Sequence, residues 1–448
     1  MTRATSMKEK RMPLVGAVPD GARLIAVLGG LPAADGVPVI GSESLIIPRQ
    51  TVGDNALLGA EGASGFFPRK RDLDRRATDL LDLVGLAVAP ATPVSDLDIV
   101  DQRIVQLARS LSRTPEFVLV DDRSIGFSAE EIRRWYAAVA RAAQVVPMVV
   151  AVDELAGLEP YPVDAVVVVR GGEVIGTARP DESDRLLEML VGEDDSPARP
   201  ARVFGPVVLE LRDVAVSHPI HHDRLVIEGA SLTVRAGEIV GLAGAESLVL
   251  GIFGASSGGR VSGSILLDGS PADLSTVDRA IASRVLFISE HPPVYDVGLI
   301  GGIPTSVSGE KLARLARMGL IDSRKEYVPR RAPSMLLEVI PGARSRPSTS
   351  AMNDVLAGWA ANPPRVALLT EPFSGLSPSD RETRRDLIER IAEAGAAVVL
   401  EASEAAQLVG LCDRFLVQRG SRLTAELAGE DATLRGLATL SIRFDVQR

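Results

Sequence analysis

An internal repeat constrains the fold of this chain more than any other feature of its sequence. The eight residues from Pro115 to Asp122 resemble the eight from Pro364 to Glu371, and 364 minus 115 gives an offset of 249. The same offset pairs Leu107 with Leu356, Val149 with Val398, Asp164 with Asp413, and Gly171 with Gly420. We therefore expect a tandem duplication whose register holds without a gap from residue 107 to residue 171.

Each copy alternates short β-branched runs with helical segments. In the second copy, residues 366–369, 397–400 and 414–417 have the pattern of buried strands, and residues 380–394 that of an amphipathic helix. This alternation predicts right-handed crossovers and a mostly parallel sheet, so an α/β fold.

The two copies are separated by a polar, proline-rich segment at residues 193–200. We expect a first domain at residues 1–200 and a second at residues 201–448. A chain of 448 residues is long enough for two domains, each with its own core.

The charge and cysteine content narrow the class of protein. A net charge of -10 argues against nucleic acid as the main partner. The single cysteine, Cys412, cannot form an internal disulfide and fits a reducing cytoplasm. No run of about 18 apolar residues is present, so we expect no membrane-spanning helix. If the protein works at a membrane, we expect it to do so from one side of the bilayer.

Five segments follow the motif order of ATP-binding cassettes. In the second copy, residues 230–244 resemble the approach to a phosphate loop, residues 252–255 the end of the helix after it, and residues 263–269 the hairpin that follows. In the first copy, residues 45–59 resemble the segment after the Q-loop, and residues 107–113 the helix after the signature motif. In this order, the chain resembles the double-cassette ATP-binding subunit of ABC importers for monosaccharides such as ribose or galactose.

This resemblance implies two tandem nucleotide-binding domains, each with a P-loop NTPase-like, mostly parallel sheet and a helical subdomain. It implies ATP and magnesium as cofactors, transmembrane permease subunits as partners, and a cytoplasmic location at the inner face of the cell membrane. Shifting Gly237 back by the offset falls before Met1, so we expect the first domain to be truncated at its N-terminus. Its phosphate-loop strand is then either missing or a displaced remnant at residues 23–30.

The phosphate loop of this family reads Gly-x-x-x-x-Gly-Lys-Ser/Thr, because backbone N–H groups hold the phosphates while the lysine meets their charge. The matching positions include Gly241, Gly244 and Ser247, but the second glycine of the motif and its lysine are absent. Glu246 brings negative charge to the loop instead. We interpret these residues as a vestigial nucleotide site.

The Walker B strand of the family ends in an aspartate that helps to hold magnesium, followed by a glutamate that orients the attacking water. The first copy has Asp121 at the magnesium position and Asp122 at the position of the base. The second copy has Thr370 and Glu371, so it loses the magnesium carboxylate and keeps the base position. The alternative interpretation is polar strand ends at the rim of a sheet.

The signature motif, Leu-Ser-Gly-Gly-Gln, presents a helix N-terminus to phosphate. The matching residues 97–101 and 346–350 lack its glycine pair, and Asp98 and Asp101 would repel phosphate. The switch histidine is also absent, because its two regions carry Asp153 and Ala402. Since the family joins one copy's phosphate loop to the other copy's signature, we expect both composite sites to be defective on both sides.

Three histidines cluster after a strand of the second copy, at His218, His221 and His222, where the family has an adenine-stacking loop. A metal site is one interpretation, but no cysteine or carboxylate stands at ligand spacing, which favours a solvated turn. Stacking of His218 on adenine stays open.

The leading hypothesis is a catalytically degenerate subunit, a structural or regulatory partner of a permease or of an active homologous ATPase. Residues 46–55 lie where family members contact the membrane subunit, and residues 69–71 begin either the helical subdomain or a merely solvated helix. The rival hypothesis is a functional ATPase that energises import of a sugar or similar polar solute through a divergent site. A relict without function is a third.

Overall fold

The computed structural model describes most of the chain. The described residues are 13–29, 39–40, 46–47, 49–60, 69–121, 129–152, 155, 158, 160–170, 173–192, 202–289, 293–299, 304–321, 329–331, 337–338, 349–402 and 405–442. Two compact units result: unit 1 comprises residues 1–194 with 438–448, and unit 2 comprises residues 195–437 apart from 324–326.

Unit 1 is built around a six-stranded sheet with the order β2-β3-β4-β1-β5-β6, parallel except for its last strand. Its elements are α1 (Pro13–Ala17), β1 (Leu24–Leu28), β2 (Val39–Ile40), α2 (Val52–Leu57), α3 (Lys70–Val84), α4 (Ile99–Leu111), β3 (Val118–Asp121), α5 (Ala129–Ala143), β4 (Met148–Ala151), β5 (Ala165–Arg170), β6 (Glu173–Ala178) and α6 (Ser183–Val191).

Unit 2 begins with β7 (Val207–Ser217), β8 (Leu225–Arg235), β9 (Ile239–Ala243), α7 (Glu246–Ile252), β10 (Val261–Leu267), β11 (Ser270–Pro271), α8 (Val277–Ala282), β12 (Val285–Ser289), β13 (Pro293–Gly298), β14 (Pro304–Ser308) and α9 (Gly309–Arg317). It continues with β15 (Pro329–Arg331), β16 (Leu337–Glu338), α10 (Thr349–Ala361), β17 (Val366–Thr370), α11 (Pro378–Glu393), β18 (Ala397–Ala402), β19 (Arg414–Arg419) and β20 (Arg422–Ala428). The last described helix of the chain is α12 (Leu434–Ile442).

Three sheets divide the strands of unit 2. The main sheet has the order β16-β12-β17-β18-β9-β19-β20, and β11-β10-β7-β8 and β14-β13-β15 form two smaller antiparallel sheets. The main sheet repeats the order of the sheet in unit 1, with β16 added at one edge. The α/β fold with mostly parallel sheets, predicted from the sequence, is therefore confirmed.

The phosphate-loop strand of unit 1 is present. Strand β1 lies between β4 and β5, as β9 lies between β18 and β19. In both units an aspartate carboxylate accepts the N–H of the first strand residue, Asp164 from Leu24 at 3.0 Å and Asp413 from Ile239 at 2.8 Å. The displaced remnant is thus the correct alternative, and the missing strand is wrong.

The gapless register predicted from the repeat is wrong at one strand. Val118 pairs with Met148 in unit 1, but Ala367, at the offset position, pairs with Val398 rather than with Ala397. Helix α11 has 16 residues where α5 has 15, so one extra residue before β18 shifts that strand. Val149 therefore matches Val399.

The units cover one face of their sheets differently. In unit 2, the face that includes Val240 and Leu242 packs against α7 and the strands β7, β8 and β10. In unit 1, the corresponding face includes Ile25 and Val27 and packs against Leu14 of α1, which is 1% exposed. Residues 29–38 link β1 to β2 where residues 244–284 link β9 to β12, which explains why the single offset failed for β1.

In the part of the chain that the structure describes, no helix combines the length and the apolar character that a membrane span requires.

Candidate functional site

The turn between β9 and α7 is the place where the sequence predicts a vestigial phosphate loop. Only Gly244 and Ala245 connect the strand to the helix, and Glu246 is the first helical residue. The N–H of Gly244 donates to the carbonyl of Ala402 on β18 at 3.3 Å. Gly244 has a φ of 72°, so a residue with a side chain would be strained there.

Gly241 is explained by packing inside the sheet. A Cβ atom at this position would lie 2.6 Å from the ring of Phe415 and 2.9 Å from the Sγ of Cys412. Both neighbours are buried in the core of unit 2. Glycine is therefore required here by the adjacent strand, whatever the loop after it binds.

Three strands on one side of β9 carry buried polar side chains at or near their carboxyl ends. Ser289, Thr370 and Glu401 stand in one row across β12, β17 and β18, and all three are buried. The hydroxyl of Thr370 has no hydrogen-bond partner among the described residues. Glu371 follows at 3% exposure with a φ of 48°, and its N–H donates to the carbonyl of Glu401 at 2.8 Å. Two buried acidic side chains, Glu371 and Glu401, therefore lie at the carboxyl ends of these strands.

Sequence reasoning missed Glu401, although a signal was present: it is one charged residue inside an otherwise apolar strand run. The corresponding position in unit 1 is Ala151, which pairs with Asp121 as Glu401 pairs with Thr370. In unit 1 the carboxylate of this pair is therefore on β3, whereas in unit 2 it is on β18, the strand that corresponds to β4.

His218 closes the turn after β7. Its Nδ1 accepts the N–H of Ile220 at 3.2 Å and the N–H of His221 at 3.1 Å. The ring is 7% exposed, and burial, with the neighbouring positive charges of His221 and Arg224, lowers its pKa to about 4. The ring is therefore neutral at pH 7, and its role against adenine stays a prediction. Among the described residues, no group of three or more metal-binding side chains is found.

In unit 1, Asp121 ends β3 and is partly buried, whereas Asp122 and Asp153 lie outside the described residues. The guanidinium of Arg103 on α4 donates to the carbonyl of Asp121 at 3.2 Å and lies 4.8 Å from the centre of the Trp135 ring. Gly241, Gly244, Ser247, His218 and Glu371 thus all belong to unit 2, whereas Asp121 belongs to unit 1.

The helix N-terminus at the first signature position is already satisfied by the chain itself. Asp98 caps α4 by accepting the N–H of Asp101 at 2.8 Å, and the Arg134 guanidinium on α5 pairs with both carboxylates. Burial raises the pKa of Asp101, with the charge of Asp98 adding to it. Burial also acts to raise the pKa of Asp98, but Arg134 and the backbone N–H groups of Val100 and Asp101 together lower it. Of the second signature, residues 346–348 lie outside the described residues.

No family model matches the chain. The L-arabinose transport ATP-binding protein AraG of Geobacillus stearothermophilus is 26% identical over 434 residues, which cover 92% of this chain and 83% of that protein. The ribose import ATP-binding protein RbsA 1 of Rubrobacter xylanophilus is 28% identical over 429 residues, 90% of this chain and 83% of its own length. The chain is similar to ATP-binding subunits of sugar importers. RbsA 2 of Escherichia coli O157:H7 agrees, at 26% identity over 91% of this chain and 81% of that protein.

The similarity to double-cassette importer subunits, predicted from motif order, is thus confirmed over about nine-tenths of the chain. The roles of the individual site residues are not tested by it and stay predictions.

A groove lies where the sequence predicts contact with a membrane subunit. Helices α2 and α3 and the segment at residues 90–91 enclose about 310 Å³, with Leu57, Leu73 and Ala77 among the lining residues. Thr51 and Asp54 form a capping box at the start of α2. Asn55 is fully buried, and its amide binds both the N–H and the carbonyl of Ile47. These hydrogen bonds tie the start of α2 to Ile47 beside the groove.

Proposed function

We propose that this chain is a cassette-type subunit of a sugar importer that docks on a permease at the inner face of the membrane and does not hydrolyse ATP. Its relatives are named as ATP-binding proteins for import of ribose or transport of L-arabinose, which supports an importer of a sugar or similar polar solute. We also propose that its two domains divide near residues 193–200.

The observation that carries the proposal is the turn of Gly244 and Ala245 between β9 and α7. A triphosphate is held by several consecutive N–H groups of a long loop and by a lysine. Two residues are too few to wrap a phosphate chain, and the N–H of Gly244 is already bonded to Ala402. The residues present therefore do not fit ATP.

The charge of this corner supports the same conclusion. Glu246 stands at the start of α7, and Glu371 and Glu401 are buried at the neighbouring strand ends. Glu246 and Glu401 would repel a triphosphate, and Thr370 replaces the carboxylate that would hold magnesium. The groove beside α2, in contrast, includes the apolar side chains of Leu57, Leu73 and Ala77, which suit a short helix of a partner.

Equilibrium binding and turnover of ATP, measured with magnesium and with co-expressed permease subunits, test the catalytic half of the proposal. We expect neither binding nor turnover. A variant with a complete phosphate loop inserted after Gly244 should also stay inactive, because residues 97–101 lack the signature glycines. Turnover by the unmodified chain would refute the proposal.

Retention of Glu371 at the end of β17 favours the rival, a divergent ATPase. Under that hypothesis, magnesium-dependent turnover is present and is lost in Glu371→Gln. It survives in Glu382→Gln, an exposed glutamate of α11 that serves as the matched control.

Docking is tested on α3. Leu73→Glu places a charge on the groove floor, whereas Thr78→Glu places the same charge on the exposed side of the helix. We expect co-purification with the permease subunits to be lost only in the Leu73 variant. Equal co-purification of both variants would exclude the groove as the docking site.

A further inference from the structure

Helix α9 carries an exposed row of positive side chains on a chain that is acidic overall. Lys311, Arg314 and Arg317 are spaced by three residues, so a turn of about 100° per residue places them on one side of the helix. All three are exposed, and none makes an ion pair or hydrogen bond with another described residue. Unpaired positive charge is thus concentrated here on a protein of net charge -10.

Two exposed apolar side chains accompany these cations. Met318, which ends α9 with helical backbone angles, is 60% exposed, and Leu320 is 38% exposed. Viewed down the helix axis, Met318 projects in a direction between those of Lys311 and Arg314. Arginine and methionine are enriched in protein interfaces. The only acidic side chain within α9 is Glu310, in its first turn.

The opposite side of α9 is fixed to the rest of unit 2. Leu312 is fully buried and forms a small core with Tyr295 and Val307 of the sheet β14-β13-β15. Tyr295 is hydrogen-bonded to Ser257, and burial raises the pKa of its phenol to about 12. The cationic side is therefore the side of α9 that faces away from this small core.

We propose that this α9 face (Lys311, Arg314, Arg317, Met318 and Leu320) docks an acidic segment of a protein partner; the inference rests on the proposed function, which places the chain beside membrane proteins. Guanidinium groups pair bidentately with carboxylates, and the exposed methionine supplies adaptable apolar contact. A lipid surface fits less well. A helix that lies in a bilayer inserts its apolar side, and here Leu312 and its neighbours are already buried in the protein.

The test compares two double variants with the same change in charge. Arg314→Glu with Arg317→Glu reverses the α9 face, and Arg381→Glu with Arg390→Glu reverses two exposed arginines of α11 in the same unit. The probes are a fluorescein-labelled peptide of alternating glutamate and alanine, read by anisotropy, and vesicles of phosphatidylserine and phosphatidylcholine. Both are measured at about 25 mM and at about 150 mM salt, because screening separates electrostatic binding from apolar binding.

We expect the wild-type chain to bind the peptide at low salt, and the α9 variant to bind about tenfold more weakly, while the α11 variant is unchanged. Equal losses in both variants would reduce the effect to net charge and overturn the inference. Vesicle binding without peptide binding would also overturn it in favour of lipid. If Leu73→Glu abolishes co-purification with the permease subunits but the α9 variant binds the peptide as well as the wild-type chain does, this inference fails and the proposed docking stands.

Discussion

The neutral histidine in the turn after β7 makes the stability of unit 2 depend on pH. The ordinary pKa of histidine is about 6.5, and that of His218 in the folded protein is about 4. The unfolded state therefore binds the proton more readily. Stability from this group is fully present above about pH 6.5 and is lost as the pH falls through about 4.

The magnitude follows from the size of this shift. At 1.36 kcal/mol per pKa unit, protonation of His218 should cost about 3 kcal/mol of folding free energy at low pH. The main structural cause is burial of the ring, which disfavours its charged form, and a protonated Nδ1 can also no longer accept the N–H groups of Ile220 and His221. We therefore choose His218→Asn, whose amide oxygen can accept the same bonds and does not titrate.

Urea unfolding between pH 4 and pH 7 measures the effect. The chain has two tryptophans, so a Trp135→Phe background leaves Trp359 of α10 as the reporter of unit 2. Carboxylates also titrate in this range, and they contribute equally to both proteins. We expect the His218→Asn variant to lose about 3 kcal/mol less than its parent on acidification, and His222→Asn, an exposed control, to follow the parent. Parallel curves for His218→Asn and its parent would refute the reasoning.

Two further predictions concern residues whose roles are structural. Gly241→Ala should destabilise unit 2 by about 1–3 kcal/mol, because the added methyl group meets Phe415 and Cys412, and urea unfolding should show this loss without any nucleotide. Arg414→Met should cost about 3–5 kcal/mol in thermal unfolding, because it leaves the Glu238 carboxylate buried without the guanidinium 2.6 Å away; an unchanged midpoint would contradict this.

The sequence predicted the class of fold well, because buried β-branched runs and amphipathic helices are local patterns. It failed where position depends on pairing between distant strands. Val149 can match either Val398 or Val399, since both are valines. Only the strand partners show that α11 has gained a residue.

The candidate site could be predicted only in part, because packing and strand pairing are not visible in the sequence. Gly241 and Gly244 stand out in a motif, yet the sequence cannot say that one glycine serves the packing of Phe415 and the other the backbone angle of a turn. Glu401 was missed because no motif contains it. Its place beside Thr370 follows only from the register of β17 with β18.

The central position of β1 sets a limit on how small such a cassette can become. A sheet strand that pairs on both sides cannot be removed without separating its two neighbours, here β4 and β5. The segment after it is free of that constraint, and in unit 1 residues 29–38 suffice. A designer who shortens unit 2 in the same way should therefore delete between Gly244 and β12, keep β9, and supply a new helix to cover the exposed face of the sheet.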